Sequence, residues 1–204
     1  MQKFFITCIV IAIIFLLMYA IWVVYSRITA NRIMRESRNK KNFTYNYLSM
    51  RFSRLNTMKN VRLLIKDRFT GAERAAKIGT VFVNRGGIFV IETVYGSGFI
   101  EVEEGGKWSR FINDKQYAFD DPLKVNSKRA KAMKDFLKSQ DVDNIPVHNV
   151  VVFTGKRIDF SKKINGLVTA PELPGYLTDA NMDRYLNRLE IRKVVKLIKS
   201  KQLQ

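Results

Sequence analysis

Cysteine and histidine are almost absent from this 204-residue chain, which holds only Cys8 and His148. A single cysteine forms no intramolecular disulfide. One cysteine and one histidine far apart in sequence also exclude the thiolate and imidazole clusters that build structural zinc sites. No Walker loop and no Ser/His/Asp arrangement is present either. Internal repeats and low-complexity tracts are missing, so solenoids and compositionally biased tails are excluded. Acidic residues are the next shortage. Eighteen Asp and Glu face 36 Lys and Arg, for a formal net charge of +18 and an isoelectric point near 10.1. Between Glu36 and Asp67 there is no acid at all. Such an excess attracts phosphate, whether of DNA, RNA or anionic lipid headgroups.

Charge is missing altogether from Phe4 to Tyr25, a run rich in Ile, Phe, Leu and Val. About 20 apolar residues span a bilayer core as a helix, and Trp22 and Tyr25 stand at one end, where amphipathic aromatics anchor. A cleaved signal peptide has a shorter apolar core and a small-residue cleavage site. Tyr25-Ser26-Arg27-Ile28 offers none, so an uncleaved transmembrane anchor over residues 1–25 is expected. Only Lys3 precedes the span, whereas Arg27, Arg32, Arg35, Arg38, Lys40 and Lys41 come after it. The positive-inside rule then puts the N-terminus outside and the main domain in the cytoplasm of a single-pass cell-membrane protein. Residues 26–42 read as a basic juxtamembrane connector and 43–204 as one cytoplasmic domain. Topology alone accounts for the basic cluster at 27–41, but not for the charge of the rest.

Within the domain, residues 43–56 read as a helix with Phe43, Tyr47, Met50 and Leu55 toward one face. Val61–Ile65 is a short strand, and Thr70-Gly71 begins a polar link. Strands are expected at 78–83, 88–94 and 98–103. The first two are joined by the turn residues Asn84-Arg85-Gly86-Gly87 and form a hairpin. Gly87-Ile88-Phe89-Val90-Ile91 is apolar on both faces until Glu92, the pattern of a buried strand ending in one carboxylate. Asp121-Pro122 starts a helix, with an acid at the N-cap and proline at the first helical position. Ala130, Met133 and Leu137 fall on one side of it. Lys124, Lys128, Lys131, Lys134 and Lys138 fall within about 120° on the other, at 100° per residue. This is the most organised basic stripe in the chain and the candidate nucleic-acid-binding face, the alternative being a plainly solvated helix face. Val150–Phe153 is a buried strand, and His148 beside it reads as a loop or strand-edge residue rather than a metal ligand. Gly166–Ala170 is a further short strand, and Pro171–Gly175 a turn-rich link. A last helix is expected over about 179–199, with Met182, Tyr185, Leu186, Leu189, Val194, Val195 and Ile198 as its apolar stripe. Its C-terminal half is basic, which the helix macrodipole favours without any ligand.

The hairpin, Gly96-Ser97-Gly98, Trp108, Asp121-Pro122-Leu123 and Val150-Val151-Val152-Phe153 occur in the order of the nuclease-related domain (NERD) family, which residues 43–155 resemble; residues 171–204 would be a C-terminal helical extension. The resemblance implies a restriction-endonuclease-like α/β fold, a mixed sheet flanked by helices. The motif of that group is an Asp, a hairpin turn, then Glu-x-Lys. Its logic is that residues two apart on a strand share a face. Two carboxylates hold Mg²⁺ through oxygen ligands, and the metal activates water and stabilises the charge developing on phosphate.

Carried onto this chain, the Glu is Glu92, the Asp position holds Gly79 and the Lys position holds Val94. The family's Asn-Pro-Leu-x-Gln stretch becomes Asp121-Pro122-Leu123-Lys124-Val125, so Val125 stands at the Gln position. The family's first-helix Glu falls in the acid-free segment. A fold without a working nuclease site is expected, with no catalytic residues, no resident metal and no cofactor. Glu92 would then be a rim carboxylate neutralised by a nearby Lys or Arg. Three functions remain from this reading. The first is a membrane-anchored, catalytically inactive protein that binds DNA, RNA or a protein partner through its basic domain. The second is an active, Mg²⁺-dependent nuclease with migrated groups, drawn from Lys77, Glu101, Glu103 and Lys124. The third is a structural docking component of a bacterial membrane assembly, such as conjugation or secretion. The sequence does not specify an oligomeric state.

Overall fold

The computed structural model of the protein describes residues 13–24, 42–66, 73–103, 106–112, 115–142, 144–155, 157–178 and 186–202. All of the connector but Asn42, and parts of both terminal expectations, including Met182 and Tyr185, lie outside the described residues. Of the expected membrane span, residues 13–24 are described and form helix α1. Ile13, Phe15, Leu16, Leu17, Ile21 and Trp22 are all exposed on it, and Tyr19 and Trp22 stack at 6.2 Å. No helix among the described residues is long and apolar enough to cross a membrane.

The domain is built on a five-stranded mixed sheet in the order β1-β2-β3-β7-β9. These strands are β1 (Thr57–Lys66), β2 (Glu73–Asn84), β3 (Gly87–Val94), β7 (Val147–Phe153) and β9 (Leu167–Thr169). β1, β2 and β3 pair antiparallel, while β3–β7 and β7–β9 are parallel. The expected hairpin forms, with the Asn84 side chain accepting from Gly86 N–H at 2.8 Å. Gly87, at φ 124°, takes a conformation that side-chain-bearing residues rarely adopt. A second sheet, in the order β6-β5-β4-β8, comprises β4 (Gly98–Glu101), β5 (Lys107–Ile112), β6 (Lys115–Asp120) and β8 (Ile158–Phe160).

Alternation along β3 decides which layer each residue meets. Ile88 and Val90 face the cluster built with α3 (Pro122–Ser139) and α5 (Arg188–Lys201), around Met133, Phe136, Val194 and Ile198. Phe89 and Ile91 face the opposite cluster of Phe43, Tyr47 and Leu173 from α2 (Phe43–Leu48) and α4 (Leu173–Thr178). A third cluster joins the two sheets through Ile100, Trp108, Val151 and Phe153. Trp108 is 1% exposed there.

Several boundaries differ from expectation for identifiable reasons. The 43–56 helix is six α-helical residues and then a five-residue π turn, Ser49–Ser53. The wider turn changes the facing of the residues beyond it, so Met50 and Leu55 are exposed whereas Phe43 and Tyr47 are buried. β1 and β2 run well beyond 61–65 and 78–83, because Glu73–Lys77 pair along β1 as an exposed polar hairpin extension rather than a link. β4 ends at Glu101, and β5, β6 and β8 had no counterpart among the expected strands. Pro174-Gly175 lies inside α4, since proline in a first helical turn loses no bond that the helix needs. α5 begins only at Arg188, where Asn187 and Glu190 form a reciprocal capping box. Leu186 is buried ahead of it and Leu189 is exposed.

α3 starts as the sequence predicts: the Asp121 carboxylate accepts from the backbone N–H of Leu123 and Lys124 at 2.8 and 3.0 Å. Asn126, 1% exposed, pins this helix to the sheet. Its Nδ2 lies 2.9 Å from Val90 O, 3.1 Å from Val150 O and 2.7 Å from Asn149 Oδ1. Asn149 in turn donates to Leu123 O at 2.9 Å. Asn126→Ala is expected to cost about 1–3 kcal/mol, the penalty for buried carbonyls left without a donor. Urea unfolding of the full chain measures it, and an unchanged midpoint contradicts the staple.

Candidate functional site

β2, β3 and α3 converge on a cleft of about 330 Å³ at the end of the hairpin. It is lined by Asn42, Asn60, Lys77, Gly79, Thr80, Ile91, Glu92, Thr93 and Arg129. The last paired residues of β2 and β3 here are Thr80 and Ile91. Gly79 lies one step beyond, and a Cβ on it would sit 3.2 Å from Glu92 Oε2. The structure therefore places Gly79 directly beside Glu92, at the position from which a second carboxylate would reach the same point. Across the sheet, Asn60 interrupts β1 at φ 51° between the pairs Lys59–Thr80 and Val61–Ile78. Asparagine tolerates this left-handed conformation better than most residues. The lining residue Thr93 of β3 shares a 2.6 Å hydroxyl contact with Thr44 of α2.

Glu92 is paired with Arg129, Nη1 to Oε2 at 2.7 Å, and each side chain is 30% exposed. The contact is close but not aligned as a hydrogen bond, since buried Nη1 has no in-line acceptor. The neutralising cation expected near Glu92 is thus an arginine from α3. Arg129 was not among the expected site residues, yet a helical wheel carries the signal. Five residues after Lys124, it stands about 140° around the helix, between the buried positions of Phe136 and Met133. A cation on the core side of a helix needs a carboxylate partner.

The other candidate positions separate. Lys77 lines the cleft, whereas Glu101, Glu103 and Lys124 do not. Val94 shares the face of Glu92 but packs against the inter-sheet cluster with Phe153 and Trp108. Val125 is 42% exposed and lies outside the cleft. Lys124, Lys128, Lys131, Lys134 and Lys138 are all exposed along α3, while Ala130, Met133 and Leu137 opposite them are buried. His148 is a half-buried β7 residue, with Nε2 2.9 Å from Gly86 O and its ring stacked on Phe89 at 4.7 Å.

This donor set does not fit the divalent metal of the nuclease motif. Mg²⁺ needs several oxygen ligands. Glu92 is the only carboxylate among the described lining residues, and a guanidinium already contacts it. Among the described residues no group of three or more His, Cys, Asp or Glu side chains is placed to hold a metal.

The mixed sheet, the hairpin carrying Glu92 and the α3 crossover into a parallel β7 are the framework of a restriction-endonuclease-like protein. Residues 35–154 match the nuclease-related domain family, and the chain belongs to it. No curated protein and no solved structure matches the chain.

Proposed function

We propose that this protein is a membrane-anchored member of the nuclease-related domain family that binds nucleic acid through its basic domain and does not cleave it. The observation that carries this reading is the Glu92–Arg129 pair beside side-chain-less Gly79. One carboxylate held by a fixed cation lacks the further oxygen ligands that Mg²⁺ needs. Removing one preorganised charge-stabilising group typically costs 10²–10³ in rate, and here the second acid and the motif lysine are both replaced. The lysine stripe of α3 supports binding: five exposed cations line one helix, and α5 adds exposed Arg192, Lys193, Lys196 and Lys199 in the same layer.

Full-length protein in detergent micelles, titrated with salt against duplex and single-stranded DNA, tests the reading. Affinity is expected to fall linearly in log–log form with increasing salt, and absence of binding at low salt contradicts it. The anchor is part of the proposal. The uncharged run 4–25 and the exposed apolar surface of α1 support it, because a helix apolar all round needs burial in protein or lipid. The full chain is expected to stay in the membrane fraction after an alkaline carbonate wash and to leave it only with detergent. Release by the wash contradicts the anchor. With the domain cytoplasmic, protease added outside intact cells should leave it uncut.

A further inference from the structure

We infer that the cleft between β2, β3 and α3 is a metal-independent site for a phosphodiester group, in which Arg129 supplies the positive charge that a divalent ion supplies in a working nuclease. This inference rests on the nucleic-acid reading above and deepens it, by naming the place and the chemistry of one contact.

The argument starts from charge. Among the described lining residues, Lys77 and Arg129 are cationic and Glu92 is anionic, so the cleft carries a net positive charge. Lys77 is exposed and lies two residues before Gly79, on the same face of β2. Gly79 brings no side chain to this wall, where Glu92 Oε2 already stands 3.2 Å from the place a Cβ would take, so no second acidic group offsets the two cations. Arg129 touches one carboxylate oxygen, and a guanidinium carries five N–H donors in a planar fork suited to phosphate. Nη1 is buried against that oxygen, so the donors left for an oxyanion are the other N–H groups of the fork, on a side chain 30% exposed. Asn60, between the β1 pairs that flank Gly79, adds a neutral side chain able to donate to phosphate oxygens. Glu92 then has a positioning role: it holds the guanidinium at the cleft wall, and Asn126 fixes the helix from which it projects.

The test uses the full-length chain in detergent and a fluorescein-labelled single-stranded oligonucleotide, with anisotropy read in EDTA and in Mg²⁺ at matched ionic strength. Affinity is expected to differ less than about twofold between the two conditions. A gain of about tenfold or more with Mg²⁺ overturns the inference. Arg129→Gln is expected to lower affinity about tenfold, the lower end for a lost charge-assisted hydrogen bond, and Arg129→Lys to recover part of the loss. Lys77→Gln leaves the Glu92–Arg129 pair and the core untouched, so its expected loss of several-fold cannot come from misfolding. Lys115→Gln, on β6 and outside the cleft, removes the same charge and is expected to change affinity less than twofold. Equal losses in Lys77→Gln and Lys115→Gln would show a general charge effect and overturn the site. Excess inorganic phosphate should compete far less well than unlabelled oligonucleotide; equal competition at equal phosphate concentration would make the cleft a free-phosphate site and contradict the phosphodiester assignment. If the wild-type chain binds no oligonucleotide, the broader function fails. If it binds and both cleft variants bind equally well, only this inference fails.

Discussion

Replacing Lys128, Lys131 and Lys138 with glutamine is expected to flatten the salt dependence of DNA binding by up to about three units. Each phosphate contact on duplex DNA contributes a slope of about −0.9 through counterion release. At that slope, a fourfold rise in salt costs the variant about fortyfold less affinity than it costs the parent. The substitution isolates charge. All three lysines are exposed, whereas the apolar side of α3 is buried in the main core, and glutamine is nearly as good a helix former as lysine. Thermal stability should therefore change little. Sequence preference should hold too, because phosphate contacts carry no base information. If slope and affinity stay the same, the α3 face is only solvated, and the contacts belong elsewhere.

The second large effect is a restoration that should fail. Gly79→Asp with Val94→Lys rebuilds the two motif groups nearest Glu92, and its activity with Mg²⁺ is expected to remain at least about 10²-fold below that of an intact site. Two features of the structure oppose it. An aspartate Cβ would stand 3.2 Å from Glu92 Oε2, and Arg129 would remain beside that carboxylate, competing with any metal for it. At position 94 a lysine would replace a valine packed near Phe153 and Trp108. Its ammonium must then snorkel outward or lose its hydration. Adding Arg129→Gln to the double variant is expected to raise activity or metal affinity above the double alone. Robust cleavage by the double variant would mean that Arg129 and Val125 do not hold the site inactive.

How much of the fold and site is legible in the sequence depends on the range of the interaction. The α3 start is readable because its cap lies within three residues of sequence. The buried β3 and β7 are readable because uninterrupted apolar runs have few other uses. The pairing of Gly79 with Glu92 is read from the family resemblance, and the hairpin register sets the two side by side. β5, β6 and β8 are not legible, since the sheet they form has one exposed face with mixed residues such as Phe99, Gln116 and Asp159. The early stop of the 43–56 helix depends on a π turn, which no local pattern announces. Arg129 is overshadowed in the sequence by the lysines on the solvent side of its helix. Its significance needs the helix docked on the sheet, a contact between positions 92 and 129 that periodicity cannot express.

Incubation of full-length protein with supercoiled and linear DNA in Mg²⁺ or Mn²⁺ tests the central claim most directly. Intact DNA is predicted under conditions where anisotropy shows the DNA bound, with no difference between the wild-type chain and Glu92→Ala. Metal-dependent nicking that disappears in Glu92→Ala would contradict the account and establish a nuclease whose catalytic groups have moved.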